Sequence, residues 1–166
     1  MQTIISQDEE KRYEELQLMA LDFARAGQTQ DLQKMIEYGM SVNLSTSKGD
    51  TLLMLATYNG NLDTSMMLIN NGADMNRINQ RGQTPLEGVC FKGDLNIVKL
   101  LVQNGANFEG KAIVFASIFG NIDIVRYLKS QGINKQNFNK FGLSIEILAS
   151  ITTLIKKMKN KLINKN

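Results

Sequence analysis

The sequence predicts an all-α protein built from repeated pairs of short helices. Two observations carry this prediction: glycines recur in pairs 12 residues apart, and the apolar residues between them keep helical spacing. Successive pairs begin 33, 33 and 27 residues apart. Because glycine enters the left-handed region at little cost, it marks the ends of helices, and a period of this length indicates a repeat architecture. The pairs are Gly27/Gly39, Gly60/Gly72, Gly93/Gly105 and Gly120/Gly132.

Composition narrows the function classes. The chain has 166 residues, of which 43% are hydrophobic and 21% charged, the balance of one soluble globular domain. It turns acidic before any apolar run of signal-peptide length and has no window of about 18 apolar residues, so we expect a cytoplasmic protein without a membrane span. Histidine is absent and Cys90 is the single cysteine. The commonest general base and the commonest zinc ligand are missing, so we predict no enzyme activity, no metal and no cofactor.

The first predicted element is an N-terminal capping helix. Residues 8–26 begin with the acidic run Asp-Glu-Glu, whose negative charge suits the positive end of the helix dipole. The outermost unit of a repeat array contacts a neighbour on one side only, so its outer face must be polar. We therefore assign residues 8–48 to an N-terminal capping unit.

Each later unit is predicted to contain a helix, a tight turn, a second helix and a polar connecting segment. A side-chain acceptor just after the middle glycine would cap the second helix, and Asn61, Asp94 and Asn121 occupy these positions. The apolar stripe of the second helix is clearest in one unit, where it consists of Leu95, Val98, Leu101 and Val102.

With these features the chain resembles the ankyrin repeat family. The resemblance implies a solenoid of stacked antiparallel helix pairs with short β-hairpin fingers. It also implies one domain over residues 1–166, with repeats at 49–81, 82–111 and 112–141 and a C-terminal cap at 142–163. The match covers roughly residues 18–153 and its period of 33 makes it specific. It rests on Gly82, Thr84-Pro85-Leu86, Gly93, Ile97-Val98-x-Leu100-Leu101 and Gly105-Ala106-Asn107.

Two departures from the family pattern carry structural expectations. The usual histidine after leucine is Met54 in one repeat and Glu87 in the next, so the hydrogen bonds that it makes between neighbouring repeats must be replaced or lost. The interval from Gly105 to Gly120 is six residues shorter than the equivalent interval one repeat earlier. We therefore expect one finger to be clipped near residues 107–113.

The resemblance implies a non-enzymatic module that binds a protein partner through its inner face, formed by the first helices and the fingers. We predict an aromatic-centred patch with a polar, mildly basic rim, although core or partial burial is the competing interpretation of its large apolar side chains. The contact positions before the middle glycines are Arg25 and Ala26 in the capping unit and, where the patch is predicted, Tyr58, Asn59, Phe91, Lys92, Ile118 and Phe119. The finger positions are Ser47, Lys48, Asp50, Gln80, Arg81, Gln83, Asn139 and Lys140.

Alternatives to a simple protein-binding module remain open. Some small bacterial ankyrin proteins are linked to peroxide defence, which implies an accessory protein that delivers a small ligand or haem to a larger enzyme, with Tyr58 or a methionine as haem ligand. The lysines of residues 156–165 would suit nucleic acid, but no aromatic residue interleaves them, and a solvated helix end explains them equally well. Cys90 takes a position where the family has alanine, so we expect a buried, unreactive thiol. We expect a monomer with an unidentified protein partner and no small-molecule substrate.

Overall fold

The computed structural model describes residues 6–108 and 111–132, and every regular element within them is an α-helix. The predicted all-α class is confirmed. The chain divides into two compact units, Met1–Pro85 and Leu86–Asn166. The predicted C-terminal cap at 142–163, the lysines of residues 156–165, and the finger positions Asn139 and Lys140 lie outside the described residues.

Helix α1 (Gln7–Ala26) begins with a complete capping box. Ser6 Oγ accepts the Glu9 N–H at 3.3 Å, and the Glu9 carboxylate accepts the Ser6 N–H at 2.9 Å. The pKa of Glu9 is lowered from its ordinary value because its carboxylate accepts from the backbone N–H of Ser6 and, as the smaller cause, from the Ser6 hydroxyl at 2.9 Å. The helix predicted over residues 8–26 is present, and its buried residues lie in its last two turns: Ala20, Leu21 and Ala24.

The first unit contains two helix pairs. Helices α2 (Thr29–Glu37), α3 (Leu52–Tyr58) and α4 (Leu62–Asn70) follow α1. Helix α1 packs against α2 and α3, and α4 packs against the same two helices. Thr51 starts α3 by accepting the Met54 N–H at 3.2 Å. The interior of the unit is formed mainly by leucines without exposed surface, namely Leu32, Leu52, Leu53 and Leu68.

The second unit contains the other four helices of the described residues. Helix α5 (Pro85–Lys92) starts at the boundary of the units and is followed by α6 (Leu95–Gln103), α7 (Lys111–Ile118) and α8 (Ile122–Ser130). Helix α8 packs against both α6 and α7. Asp94 caps α6 as predicted, because its Oδ1 accepts two backbone N–H groups at 3.0 and 3.2 Å. The fully buried residues of the unit include Val89, Ile97, Leu101, Ile124 and Leu128.

The glycine pattern marks the helix ends as predicted. All eight paired glycines have positive φ values, between 70° at Gly120 and 101° at Gly39. Each follows a helix at the point where the chain turns, and a residue with a Cβ atom is strained in this conformation. The glycine spacing therefore identified the helix pairs correctly.

Asn61 and Asn121 do not cap the helices that follow them, and the prediction made for them was wrong. Asn61 Nδ2 instead donates to the carbonyl oxygens of Ala24 and Arg25 at 3.0 and 2.9 Å. Asn121 Nδ2 donates in the same way to Cys90 O at 2.8 Å. These carbonyls lie in the last turns of α1 and α5, where the helix leaves acceptors without an intrahelical partner. The two asparagines therefore connect successive helix pairs, as the resemblance led us to expect of the missing histidine.

The two fingers of the first unit are tight turns, and no described residue belongs to a named strand. In the finger at residues 41–51, a single antiparallel bridge joins Ser45 and Thr51, and Thr46 N donates to Asp50 O at 3.0 Å. In the finger at residues 74–84, the N–H of Asn79 donates to the carbonyl of Gln83, also at 3.0 Å. Each finger is therefore a minimal hairpin with little strand pairing.

The connection before α7 is short, as predicted for a clipped finger. Seven residues separate Gln103 from Lys111, whereas 14 separate Asn70 from Pro85. Residues 109 and 110 lie outside the described ranges. A finger of the length found in the first unit does not fit into this interval.

Candidate protein-binding surfaces

The second unit carries an aromatic pair at the ends of its first helices, with one ring exposed and the other half-buried. Phe91 lies in the last turn of α5, and Phe119 follows the last residue of α7. Their ring centroids are 4.3 Å apart with an angle of 68° between the planes, an edge-to-face arrangement. Such a pair contributes about 0.5–1.5 kcal/mol beyond its buried area. The neighbouring Ile118 and Lys92 are exposed, so the pair lies within a small apolar surface next to a cation.

The burial pattern along each of the helices α5 and α7 explains why these side chains reach the surface. Val89 and Cys90 are fully buried, and the next residue, Phe91, points away from them with 37% of its surface exposed. In α7, Ala116 is buried, whereas Ile118 is 46% exposed. Phe119 is half-buried. Core or partial burial was the competing interpretation, and it describes the partly buried Phe119, whereas Phe91 and Ile118 keep exposed surface.

Tyr58 and Asn59 hold the equivalent position in the first unit. Tyr58 ends α3 with 43% of its surface exposed. Asn59 is also exposed, but its Nδ2 donates to Leu55 O at 2.8 Å and so satisfies a carbonyl at the helix C-terminus. Tyr58 is thus the large side chain that this position presents to solvent, and Asn59 also has a structural role.

Polar side chains join the two fingers of the first unit. Asp50 Oδ1 accepts from Asn79 Nδ2 at 2.7 Å and from Arg81 Nη2 at 2.9 Å. Arg81 Nε donates to Gln83 Oε1 at 3.0 Å. The buried Asn79 was not among the predicted residues; its Oδ1 accepts the backbone N–H groups of Arg81 and Gln83 at 3.0 Å each. The Asp50 side chain is only 16% exposed, whereas that of Arg81 is 61% exposed. Asp50 therefore has little contact with solvent and orients the exposed arginine.

Further hydrogen bonds hold the fingers together. Gln80 N donates to Lys48 O at 3.0 Å, and its side-chain amide donates to Ser47 O at 2.8 Å. Arg77 Nη1 donates to Asn43 O at 3.2 Å. Among the predicted finger residues, Lys48 and Arg81 therefore place exposed cationic side chains on a backbone that is fixed at several points.

The described residues include neither an exposed cysteine nor a metal-binding cluster. Cys90 is fully buried, as predicted, and burial together with the nearby Glu87 raises the pKa of its thiol to about 12. Within residues 6–108 and 111–132, no cluster of three or more His, Cys, Asp or Glu side chains has a geometry that would hold a metal ion. None of the helices in these ranges combines the length and the apolar content needed to cross a bilayer.

A model of the family described as "Ankyrin repeats (3 copies)" matches residues 19–112 and 68–139. An ankyrin repeat protein of Pseudomonas aeruginosa is 49% identical over 43 residues, and this match spans 26% of the present chain but only 25% of that relative. The crystal structure of the human ASB11 ankyrin repeat domain superposes with a TM-score of 0.72 at 24% identity. This similarity covers 86% of the present chain and 67% of the human one. The chain belongs to the ankyrin repeat family.

Proposed function

We propose that the chain is a non-enzymatic module that binds a cytoplasmic protein through the ends of its first helices and through its fingers. Ankyrin repeats are generally protein–protein interaction modules, which supports the broad function. The observation that carries the finer proposal is the exposed Phe91, in edge-to-face contact with the half-buried Phe119, together with the exposed Ile118.

These residues have the properties of an interface centre. Aromatic and large apolar side chains lose unfavourable contact with water when a partner covers them, and aromatic residues are enriched among binding hot spots. The edge-to-face contact restricts both rings before binding, so less conformational entropy is lost when the partner arrives. Lys92 provides a charged neighbour of the kind found at interface rims. In the first unit, Tyr58 offers a second anchor with a polar tip.

The test compares two variants of the full chain that lose similar apolar side chains from different places. The patch variant is Tyr58→Ala/Phe91→Ala/Ile118→Ala. The control variant is Tyr38→Ala/Met66→Ala, which removes exposed side chains at the end of α2 and in α4. Proteins captured from the native cytoplasm by the wild type are identified and purified, and the Kd is then measured for all three chains. We expect the patch variant to weaken binding at least about tenfold and the control to change it less than about twofold.

Circular dichroism and urea unfolding must first show that the two variants and the wild type are equally folded. Phe119 is kept in the patch variant because it is half-buried and supports the local packing. Retention of the same partner with unchanged Kd by the patch variant would contradict the proposed surface. A loss of binding in the control variant alone would place the interface on the second helices.

A further inference from the structure

We propose that Arg81 is a carboxylate-recognition residue and that the partner contacts the first unit through an acidic segment. The inference rests on the proposed function and adds the chemistry of the partner. It starts from the way in which the finger pair, residues 41–51 and 74–84, holds one exposed guanidinium.

Two hydrogen bonds fix the guanidinium of Arg81. Its Nη2 donates to Asp50 Oδ1 at 2.9 Å and its Nε donates to Gln83 Oε1 at 3.0 Å. Within the described part of the chain these bonds leave both N–H groups of Nη1 for an outside acceptor. The side chain is 61% exposed, so a partner can reach it. An arginine that is already oriented loses less rotamer freedom when it binds a carboxylate than a mobile one does.

Asp50 does not cancel this preference for an anion. Its carboxylate is 16% exposed and accepts from Asn79 as well as from Arg81, so it lies mostly beneath the surface. Buried Asn79 also accepts the backbone N–H groups of Arg81 and Gln83, which fixes the turn that carries the arginine. Asp50 and Asn79 therefore act as positioning residues, and the group that the finger pair presents is the cation.

The surrounding charges favour an acidic partner. The exposed ionisable side chains of the finger pair are those of Lys48, Asp74, Arg77 and Arg81, three cations against one anion. Such a surface attracts an acidic segment during encounter and repels a basic one. A carboxylate also matches the planar donors of a guanidinium better than a neutral amide does. The exposed Ile78 provides an apolar contact next to these charges.

The experiment pans a phage-displayed library of random peptides against the full chain. The Kd of the most enriched peptide is then measured with the wild type, Arg81→Gln, Arg81→Lys and the control Arg126→Gln. The control removes the same charge from a residue of α8 that is 75% exposed and paired with Asp123 at 3.2 Å. We expect enriched peptides to contain Asp or Glu, and Arg81→Gln to weaken binding about tenfold or more. Arg81→Lys should also weaken it, because one ammonium cannot keep both hydrogen bonds and still face the partner. The control should change the Kd less than about twofold.

The outcomes separate this inference from the proposed function. Enriched peptides that require Tyr58, Phe91 and Ile118 but bind equally well to Arg81→Gln would overturn the role of Arg81 and leave the binding function standing. Equal losses in Arg81→Gln and Arg126→Gln would mean that only net charge matters, which overturns the recognition role. A library without any enriched peptide would count against both proposals. Urea unfolding of each variant excludes loss of folding as the cause.

Discussion

The two units present surfaces of different chemistry on the same repeat pattern. In the first unit, two full-length fingers are joined by polar side chains around the buried Asn79 and display the cation of Arg81. In the second unit, the connection before α7 is half as long, and the helix ends display the apolar rings of Phe91 and Phe119. The helix-ending glycines set the scaffold, whereas loop length and the side chains at variable positions set the surface chemistry. A polar surface depends on individual hydrogen bonds, and an apolar one depends on the helix packing beneath it.

The largest effect should come from the core of the second unit. Leu128 in α8 is fully buried, and its replacement by alanine should lower the free energy of unfolding by about 2–5 kcal/mol. Urea unfolding followed by circular dichroism measures the loss. Hydrogen exchange should show the greatest loss of protection in α7 and α8, because a repeat contacts only its neighbours. Uniform loss of protection in all described helices would instead show that the two units unfold together and do not differ in stability.

A smaller effect should separate two glycines of the second unit. Gly93 and Gly105 both have φ above 90°, so alanine at either costs about 1–2 kcal/mol. A Cβ atom at Gly93 would lie 2.6 Å from Asn121 Oδ1, whereas one at Gly105 meets nothing within 4 Å. Gly93→Ala must therefore also displace the Asn121 side chain and should be the more destabilising change. Equal free energies of unfolding for the two variants would contradict the contribution of that contact.

In the first unit, the substitution that disturbs a polar contact is Asn79→Ala. It removes the acceptor of two backbone N–H groups and the donor to Asp50, and should cost about 1–3 kcal/mol. The effect should be local: the amides of Arg81 and Gln83 lose protection from hydrogen exchange, while the helices of the second unit keep theirs. Asn59→Ala is the control, because it removes one side-chain hydrogen bond of an exposed asparagine and leaves the backbone bonds in place. A larger destabilisation by Asn59→Ala would mean that the finger network contributes little.

The sequence predicted the scaffold better than the surfaces. Glycine spacing located the helix pairs because the left-handed conformation is a local property of the chain. It did not reveal that Asn61 and Asn121 donate to the preceding repeat, since an amide can donate or accept and the choice depends on a helix end 30 or more residues away. The cap at Asp94 was predicted correctly because a carboxylate can only accept. The sequence likewise did not reveal the hydrogen bonds of Asp50, because its partners Asn79 and Arg81 lie in the next finger.

The smallest effect concerns the residue that precedes each aromatic anchor. Before Tyr58 this is Thr57, buried and donating to Leu53 O at 2.8 Å; before Phe91 it is Cys90, which can titrate. Burial, and secondarily the charge of Glu87, raises the pKa of Cys90 from 9.0 to about 12. The folded protein therefore keeps the thiol proton at pH values where the unfolded chain has lost it.

The raised pKa of Cys90 stabilises the folded protein fully below the unfolded pKa of 9.0, and this stabilisation is lost as pH rises toward 12. Between about pH 8 and about pH 10 the loss should reach about 1 kcal/mol. Cys90→Ala, which carries no titrating group at this position, removes this dependence, while every other titrating group stays the same. From the lower to the higher pH, the free energy of unfolding of the wild type should therefore fall by about 1 kcal/mol relative to that of Cys90→Ala. A constant difference would mean that the thiol titrates alike in both states, which would contradict its burial next to Phe91.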